Sequence, residues 1–447
     1  MTFDLDILTR ELARLPACKG LLVGFSGGLD SVALLYGLVQ LRAQQRLVPA
    51  LRAIHINHGL HPEAADWEHR CHAQCAAWGV EYASAAVKLS STTGAGLENA
   101  AREARYTLFA SVLRPDEVLL LAHHRDDQME TLLLRLLRGA GPRGMAGIPR
   151  QRPVGNGLLA RPLLDIDRRA LELWAREQGL EWIDDSANAD THFDRNYLRH
   201  EILPRLEARW PGYRESWSKS AALAAEADSV LQELAQSDLQ LVQGELANEL
   251  QVPALRELGK ARQRNVLRYW FATLQLPEPG WQLLHSVTDE LLESASGNHS
   301  RKQAHGIEVA RFADRLVLRV PLPAFDPHAQ IQWNPIATSS CELPANGRLI
   351  VRPSSGSASD RRLAVSLAGP VQIRYRDGGE TVRLRDRPRK SLKKLLQEAR
   401  IEPWWRERLP LLYCNDALLC IPGVGATGVG AEVVIEWQRP AGPGPQD

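Results

Sequence analysis

Two clusters in this chain have the residue types and the spacing to do chemistry. The first is Ser26-Gly27-Gly28-Leu29-Asp30-Ser31, directly after the apolar run Leu21 to Phe25. Adjacent glycines, lacking Cβ atoms, let backbone N–H groups close on an anion, and a helix starting near Ser31 adds unpaired donors and the positive end of its dipole. Phosphate is the natural guest. A Walker A loop would end in Gly-Lys-Ser/Thr, but Gly28 is followed by Leu29-Asp30-Ser31, so the lysine that holds terminal phosphates is missing. Asp30 would repel phosphate unless a divalent cation bridged them, so the motif asks for Mg²⁺. The second cluster is His123-His124-Arg125-Asp126-Asp127-Gln128-Met129-Glu130-Thr131. With a helix beginning near Asp127, Glu130 lies one turn on, and both carboxylates face the side of Asp30's loop. Such acids can hold Mg²⁺ and take a proton from an amine nucleophile; Asp127 and Glu130 also have the spacing of a capping box that merely starts a helix.

The elements that must position these residues alternate. A strand at Leu21–Phe25 leads into a helix with Val32, Leu35, Leu38 and Val39 on one face. A strand at 50–57 ends in His58-Gly59-Leu60, and then come a helix (63–78), a strand (80–87), a helix (97–113) and a strand (118–122). This order predicts an α/β domain with a parallel sheet covered by helices, its ligands at the carboxyl ends of the strands. Ser26 to Ser31, His58 and His123 all fall at such ends.

The 447 residues suffice for two or three domains with cores of their own. Apolar content of 44% and charged content of 24% describe a soluble globular chain. The opening MTFDLDILTRELARLP has no apolar export region, and no stretch reaches about 18 uninterrupted apolar residues, so a cytoplasmic protein without membrane association is expected. Six scattered cysteines form no CxxC pair. Cys71 and Cys75, a helical turn apart in His69-Arg70-Cys71-His72-Ala73-Gln74-Cys75, read as small buried residues of an amphipathic helix rather than as metal ligands. The net charge of +1 carries no global message about nucleic acid, so any basic surface must be local.

Three domains are expected: 1–215 with both motifs, a mainly helical middle domain over 216–325 entered through an Ala/Leu/Glu-rich helix, and a small β-rich domain over 326–447. Two strands, 306–311 and 315–320, are expected near the end of the middle domain, before the Pro-rich loop PLPAFDPHAQ. At the end of the first domain an Asp/Ser/Asn-rich loop runs into a basic helix whose Arg195, Arg199, Arg205 and Arg209 could meet RNA phosphates or a base. In the last domain, RLRDRPRKSLKK places Arg383, Arg385, Arg387, Arg389, Lys390, Lys393 and Lys394 against one acid, Asp386, with Trp404-Trp405 just beyond. A basic patch beside aromatic rings suits RNA backbone binding and base stacking.

Ser26 to Ser31 resembles the SGGxDS signature of the PP-loop ATP pyrophosphatases, which cleave ATP between the α and β phosphates and transfer AMP. A longer set occurs in order: His58-Gly59-Leu60, Ala104-Arg105-Tyr106, His123 with Asp126-Asp127-Gln128 and Glu130-Thr131, Arg138-Gly139, Arg161-Pro162-Leu163-Leu164, Asp185-Ser186 with Asn188, and Arg195-Asn196 with Arg199. Together these resemble the bacterial tRNA(Ile)-lysidine synthase family. The resemblance implies an adenine nucleotide alpha hydrolase-like PP-loop fold. It implies adenylation of carbon two of the wobble cytidine in the CAU anticodon of isoleucine tRNA, displacement of AMP by free L-lysine, and decoding moved from AUG to AUA. ATP would be held by Ser26, Gly27, Gly28, Leu29, Asp30, Ser31 and His58, with Mg²⁺ on Asp30 and Asp127. Arg105 and His123 would stabilise charge at the α-phosphate, and Asp127 or Glu130 would orient or deprotonate the lysine amine. Arg195, Arg199, Arg389, Lys390, Lys393 and Lys394 would meet tRNA. The last domain resembles the family's C-terminal domain, which recognises the acceptor region, at Arg376-Asp377-Gly378-Gly379-Glu380 and Leu392-Lys393-Lys394-Leu395. The resemblance leaves room for a homodimer. A tRNA thiolase would need sulfur chemistry for which Cys71 and Cys75 are the sole candidates. A GMP or NAD synthetase would leave the basic domain without a substrate, and a non-catalytic RNA-binding protein would have no need of Asp30, His123, Asp127 and Glu130 together.

Overall fold

The computed structural model describes residues 3–57, 63–86, 95–185, 190–294, 301–304, 306–367, 369–385, 387–427 and 432–440, with backbone alone for 95–103 and 359. His58, Gly59, Leu60, Ser186, Asn188 and Asp386, singled out from the sequence, lie outside the described residues. The chain forms two compact units, Met1–Val230 and Leu231–Asp447.

The first unit is built on β1 (Gly20–Gly24), whose Leu21, Leu22 and Val23 are all buried. Alternation sends Leu21 and Val23 into one core with Val32, Leu35, Leu38 and Trp174, and Leu22 into another with Ile54, Phe109, Leu119 and Leu159. A strand covered on both faces reads as a continuous apolar run, which is why this one was legible. In chain order the unit comprises α1 (Leu5–Leu12), β1, α2 (Leu29–Ala43), β2 (Ala50–Asn57), α3 (Ala64–Ala77), β3 (Glu81–Ala86), α4 (Ala95–Val112), β4 (Glu117–Leu120), α5 (Arg125–Leu137), α6 (Pro142–Met145), β5 (Gln151–Val154), β6 (Gly157–Ala160) and α7 (Arg168–Glu177). After these come α8 (Asp194–Tyr197), a π-helical turn (Leu198–Ile202), α9 (Leu203–Arg209) and α10 (Tyr213–Val242), which runs on past the unit boundary.

The sheet order is β3-β2-β1-β4-β6-β5. Every pair is parallel except β5 with β6, so the expected parallel sheet is present with one antiparallel edge hairpin. The chain steps outward from β1 through β2 to β3, then returns to place β4 on the other flank of β1. Such a reversal opens a crevice at the carboxyl ends of the two central strands. Both chemical motifs leave the sheet there.

In the second unit, β7 (Glu249–Gln251), β8 (Arg301–Ala304), β9 (Ile307–Phe312) and β10 (Arg315–Arg319) form an antiparallel sheet in the order β7-β10-β9-β8. It packs with helices α11 (Val252–Glu257), α12 (Lys260–Thr273) and α13 (Trp281–His285) around Val266, Trp270, Leu284, Val309 and Leu316. Residues 331–438 are β-rich, with sheets of five, three and two strands among the described residues. Trp404 and Trp405 do not form the open stacking surface expected of them. Arg319 lies 4.5 Å over the Trp404 ring with Phe312 at its edge, and Trp405 packs edge-on against Trp437 with Arg439 over it. Trp404 thus joins β9 and β10 to the β-rich region, while Trp405 packs within that region. Among the described residues no helix is long and apolar enough to cross a membrane.

Candidate active site

The loop after β1 is shaped by backbone requirements. Gly27 has φ +80, and a Cβ there would come within 2.6 Å of Ile183 Cδ1 and 2.7 Å of Cys71 Sγ, so both conformation and space demand glycine. Its carbonyl accepts from the Ile183 N–H at 2.9 Å, tying the loop to the chain after α7. Gly28 is the N-cap of α2 and among the described residues no side chain caps that helix, which leaves its first N–H groups available to an anion. Ser26 Oγ accepts from the Gly28 N–H at 3.3 Å and lies 3.1 Å from Ser31 Oγ. The loop is thus pre-formed. Beside it opens a cavity of about 380 Å³ lined by Ser26, Asp30, Ser31, Ile54, Ile56, Arg105, His123 and Asp127 among others.

Asp30, Arg105, His123 and Asp127, chosen from the sequence, are brought together in this cavity. His124, not chosen, is buried behind two of them, against Asp30 and Asp127, and does not line the cavity. It is the N-cap of α5, so the helix begins at Arg125, two residues before the expected start. His124 is buried, with Nε2 3.5 Å from Asp30 Oδ2 and 3.4 Å from Asp127 Oδ2. Burial alone would depress its pKa, but Asp127, Asp30 and Asp126 raise it to about 9. The Asp127 N–H, 3.4 Å from Nδ1, finds an acceptor there only while the ring is neutral; the imidazolium instead faces Asp126 Oδ2 at 3.9 Å. His123 behaves oppositely. Burial lowers its pKa most, Asp127 pulls it upward, and Arg161, Arg195 and Arg105 push it down, to about 3. The Arg161 Nε–H donates to His123 Nδ1 at 3.2 Å, so the neutral ring keeps its proton on Nε2 as a donor.

Asp127 is held ionised well below the usual carboxylate range. Burial opposes this, but the His124 and Arg195 cations and the His124 backbone N–H outweigh it. Its Oδ1 accepts from Arg195 at 2.8 Å, and its Oδ2 from the His124 N–H at 3.0 Å. Glu130 departs from the sequence expectation of a carboxylate open to an amine. Its side chain is fully buried, with Oε2 accepting from Arg195 Nε at 2.5 Å and Oε1 from Arg199 Nε at 2.7 Å. Arg195 and Arg199, four residues apart, both reach inward to these acids while parts of their side chains stay exposed. In the second unit Lys390 Nζ donates to Glu398 at 2.6 Å and Arg389 Nε to Thr381 Oγ1 at 3.1 Å, while Lys393 and Lys394 are exposed on the helix Leu392–Glu398.

Mg²⁺ can be tested against these donors. Asp30 Oδ1 is buried, has no hydrogen-bond partner among the described residues and sits 3.8 Å from Arg168 Nε. An orphaned carboxylate oxygen beside a phosphate loop fits Mg²⁺, which commonly takes one or two carboxylates plus substrate phosphates. Asp127, with both oxygens engaged, offers no such atom in this arrangement. Cys71 and Cys75 are buried, their thiols pushed up to about 12 by burial, and among the described residues no group of His, Cys, Asp and Glu is arranged to hold a metal. Arg168, Ile183 and the steric role of Cys71 gave no sequence signal; His124 gave one, as neighbour to His123.

Three family profiles match the chain: PP-loop domain over residues 6–206, TilS substrate binding domain over 250–317, and TilS substrate C-terminal domain over 371–437. Among curated relatives, the tRNA(Ile)-lysidine synthase of Coxiella burnetii is 38% identical over 94% of this chain and 92% of its own length. That of Pseudomonas fluorescens is 40% identical over 95% and 93%, and that of Proteus mirabilis 37% identical over 94% and 95%. A solved U34-tRNA thiolase from Methanococcus maripaludis shares 20% identity over 50% of this chain and 78% of its own, at a TM-score of 0.41, too distant to bear on function. Near-full-length likeness in both directions, carried by all three profiles in order, means that this chain belongs to the tRNA(Ile)-lysidine synthase family.

Proposed function

We propose that the chain is an ATP-dependent ligase that joins lysine to carbon two of the wobble cytidine in isoleucine tRNA. The observation that supports this most is the cavity where the Ser26–Ser31 loop meets Asp30, Arg105, His123 and Asp127, in a chain of this family. ATP lies with its phosphates on the loop and the N-terminus of α2. The cytidine O2 attacks the α-phosphorus and pyrophosphate leaves. Arg105 and the Nε2–H of His123 stabilise the charge that develops there, a neutral donor that costs no proton. The lysine ammonium first loses a proton to solvent water; the free amine then attacks carbon two, the C2–O bond breaks with AMP as leaving group, and the second proton leaves the new C–N nitrogen for the departing phosphate or water. Asp127, held ionised by its neighbours, is a weak base, so its role is to attract and aim the ammonium; Glu130 fixes Arg195 and Arg199 around it.

Asp30 would hold Mg²⁺, which supplies charge neutralisation between the carboxylate and the phosphates. Free lysine waits beside α5, in a cavity of about 800 Å³ lined by Arg125, Asp126, Glu130, Arg168, Arg199 and Arg214 among others, where guanidiniums suit its carboxylate and acids its ammonium. Residues 1–215 carry catalysis, 216–325 a middle domain, and 326–447, with exposed Lys393 and Lys394, capture of the tRNA, all in the cytoplasm. The test is incubation with ATP, isotopically labelled lysine and unmodified isoleucine tRNA, followed by nucleoside mass analysis. Labelled lysidine is expected; label absent from cytidine, with tRNA bound and ATP supplied, would refute the reading.

A further inference from the structure

The segment carrying Arg195 and Arg199 has a second face that the chemistry above does not use. Arg195 and Arg199 point inward to Glu130. Tyr197 precedes Arg199 by two positions on helical backbone, about 200° around, and so projects from the opposite side, while Phe193 is the extended N-cap residue of α8 with its ring in solvent. Phe193 is 55% exposed and Tyr197 48%. The Tyr197 N–H donates to the Phe193 carbonyl at 2.9 Å, closing the turn between them. Neither ring belongs to a core cluster of the first unit. Two aromatic rings kept in solvent on a turn pinned from behind by buried ion pairs are flat, rigid and open. The Arg138 guanidinium, exposed and in a 3.6 Å surface pair with Asp194, and the exposed His192 ring, 6.3 Å from Phe193, lie beside this turn.

The turn lies one side chain from the site, because Arg195 reaches Asp127 at 2.8 Å. This inference rests on the reading of the chain as an enzyme acting on an RNA base. A base can present its edge to such a cavity only after leaving its neighbours' stack, and those neighbours then need new π-faced partners. We propose that Phe193 and Tyr197 form the platform on which anticodon-loop bases adjoining the target cytidine stack while that cytidine is modified. They are positioning residues: they touch RNA beside the reacting base and take no part in bond making.

The test uses the full chain with an anticodon stem-loop RNA carrying 2-aminopurine beside the target cytidine, a probe whose fluorescence is quenched when it stacks on an aromatic ring. Wild type is compared with Phe193→Leu/Tyr197→Leu, which keeps bulk and removes the rings, and with Phe193→Tyr/Tyr197→Phe, which keeps them. In the leucine pair the stem-loop KM should rise about ten-fold or more, KM for ATP should hold, and quenching should be lost. The aromatic pair should restore both. Unchanged KM and quenching in the leucine pair would overturn the platform, as would loss in both variants alike. A change of oligomeric state in the leucine pair with quenching intact would assign the rings to a second copy of the chain and also overturn it. Quenching needs no turnover, so a wild type that quenches but makes no lysidine would refute the functional reading and leave the platform standing.

Discussion

His123 and His124, adjacent at the carboxyl end of β4, are driven into opposite charge states by what surrounds them. His124 lies among Asp30, Asp126 and Asp127, and its pKa rises to about 9; His123, half-buried, desolvated and against Arg161, falls to about 3. For His123 the folded pKa is depressed below the ordinary 6.5, so its contribution is fully present above pH 6.5 and is lost progressively as pH falls towards 3, the unfolded chain taking a proton that the folded one refuses. Between pH 6.5 and 5 the wild type should therefore lose about 1.1 kcal/mol per pH unit more than His123→Gln, the slope steepening towards about 1.4 at the acid end. Urea unfolding of both proteins across that range measures the difference; parallel curves would mean that the ring titrates normally in the fold. Asp30 supports a second expectation. Its orphaned Oδ1 faces the phosphate loop, so Asp30→Asn should abolish pyrophosphate release while tRNA affinity stays within about two-fold, because the charge that holds Mg²⁺ is lost and no RNA contact is. Normal pyrophosphate release by the variant would remove Asp30 from that role.

At the scale of elements, the first turns of α5 are clasped by a segment far along the chain. Asp126 accepts from the Arg168 N–H at 2.9 Å and from Arg214 Nε at 3.0 Å, while Glu130 receives Arg195 and Arg199. The π-helical turn Leu198–Ile202 sits in the middle of this clasp, and such turns persist where surrounding contacts fix them. Glu130→Gln leaves two guanidiniums facing a neutral amide in a buried setting and should destabilise the first unit by about 3 kcal/mol. Hydrogen exchange would locate the effect: amides of 198–202 should lose protection before those of β1 do. Equal loss in both would mean that Glu130 supports the whole unit and not this clasp.

At the scale of the molecule, the chain divides its charges unevenly. The net value is +1, yet the helix Leu392–Glu398 displays Lys393 and Lys394 openly, while Lys390 of the same basic run is held by Glu398. Lys393→Ala with Lys394→Ala should flatten the log-log salt dependence of tRNA binding by about 1.4 to 1.8, whereas Lys390→Ala should change it by less than one contact's worth. A filter-binding salt series on full-length tRNA makes the comparison. If all three lysines acted alike, the ion pair to Glu398 would not matter to RNA binding. Activity on an isolated anticodon stem-loop, which lacks the acceptor helix, should be unaffected by any of the three.

The sequence by itself determined the order of strands and helices from β1 to β4, the phosphate loop and the end of the sheet that carries the chemistry, and left out the β5–β6 edge hairpin. These depend on short-range causes: alternation along a strand, periodicity along a helix, the freedom of Gly27 and the unpaired N–H groups of a helix start. It under-read the second unit, where β7 and β8 are three and four residues long and β8 is Arg301-Lys302-Gln303-Ala304, a polar edge with no apolar alternation to find. Tertiary structure alone decided which charges meet. Arg195 and Glu130 are 65 residues apart in the chain, and nothing local to either distinguishes a guanidinium bound for a buried carboxylate from one bound for a phosphate. The same holds for His124 between Asp30 and Asp127, for Cys71 filling the space behind Gly27, and for Trp404 and Trp405, whose rings looked free beside a basic run and are taken up by Arg319, Phe312, Trp437 and Arg439. A long side chain or an aromatic ring finds its partner across elements, and only the packing of those elements settles which partner is within reach.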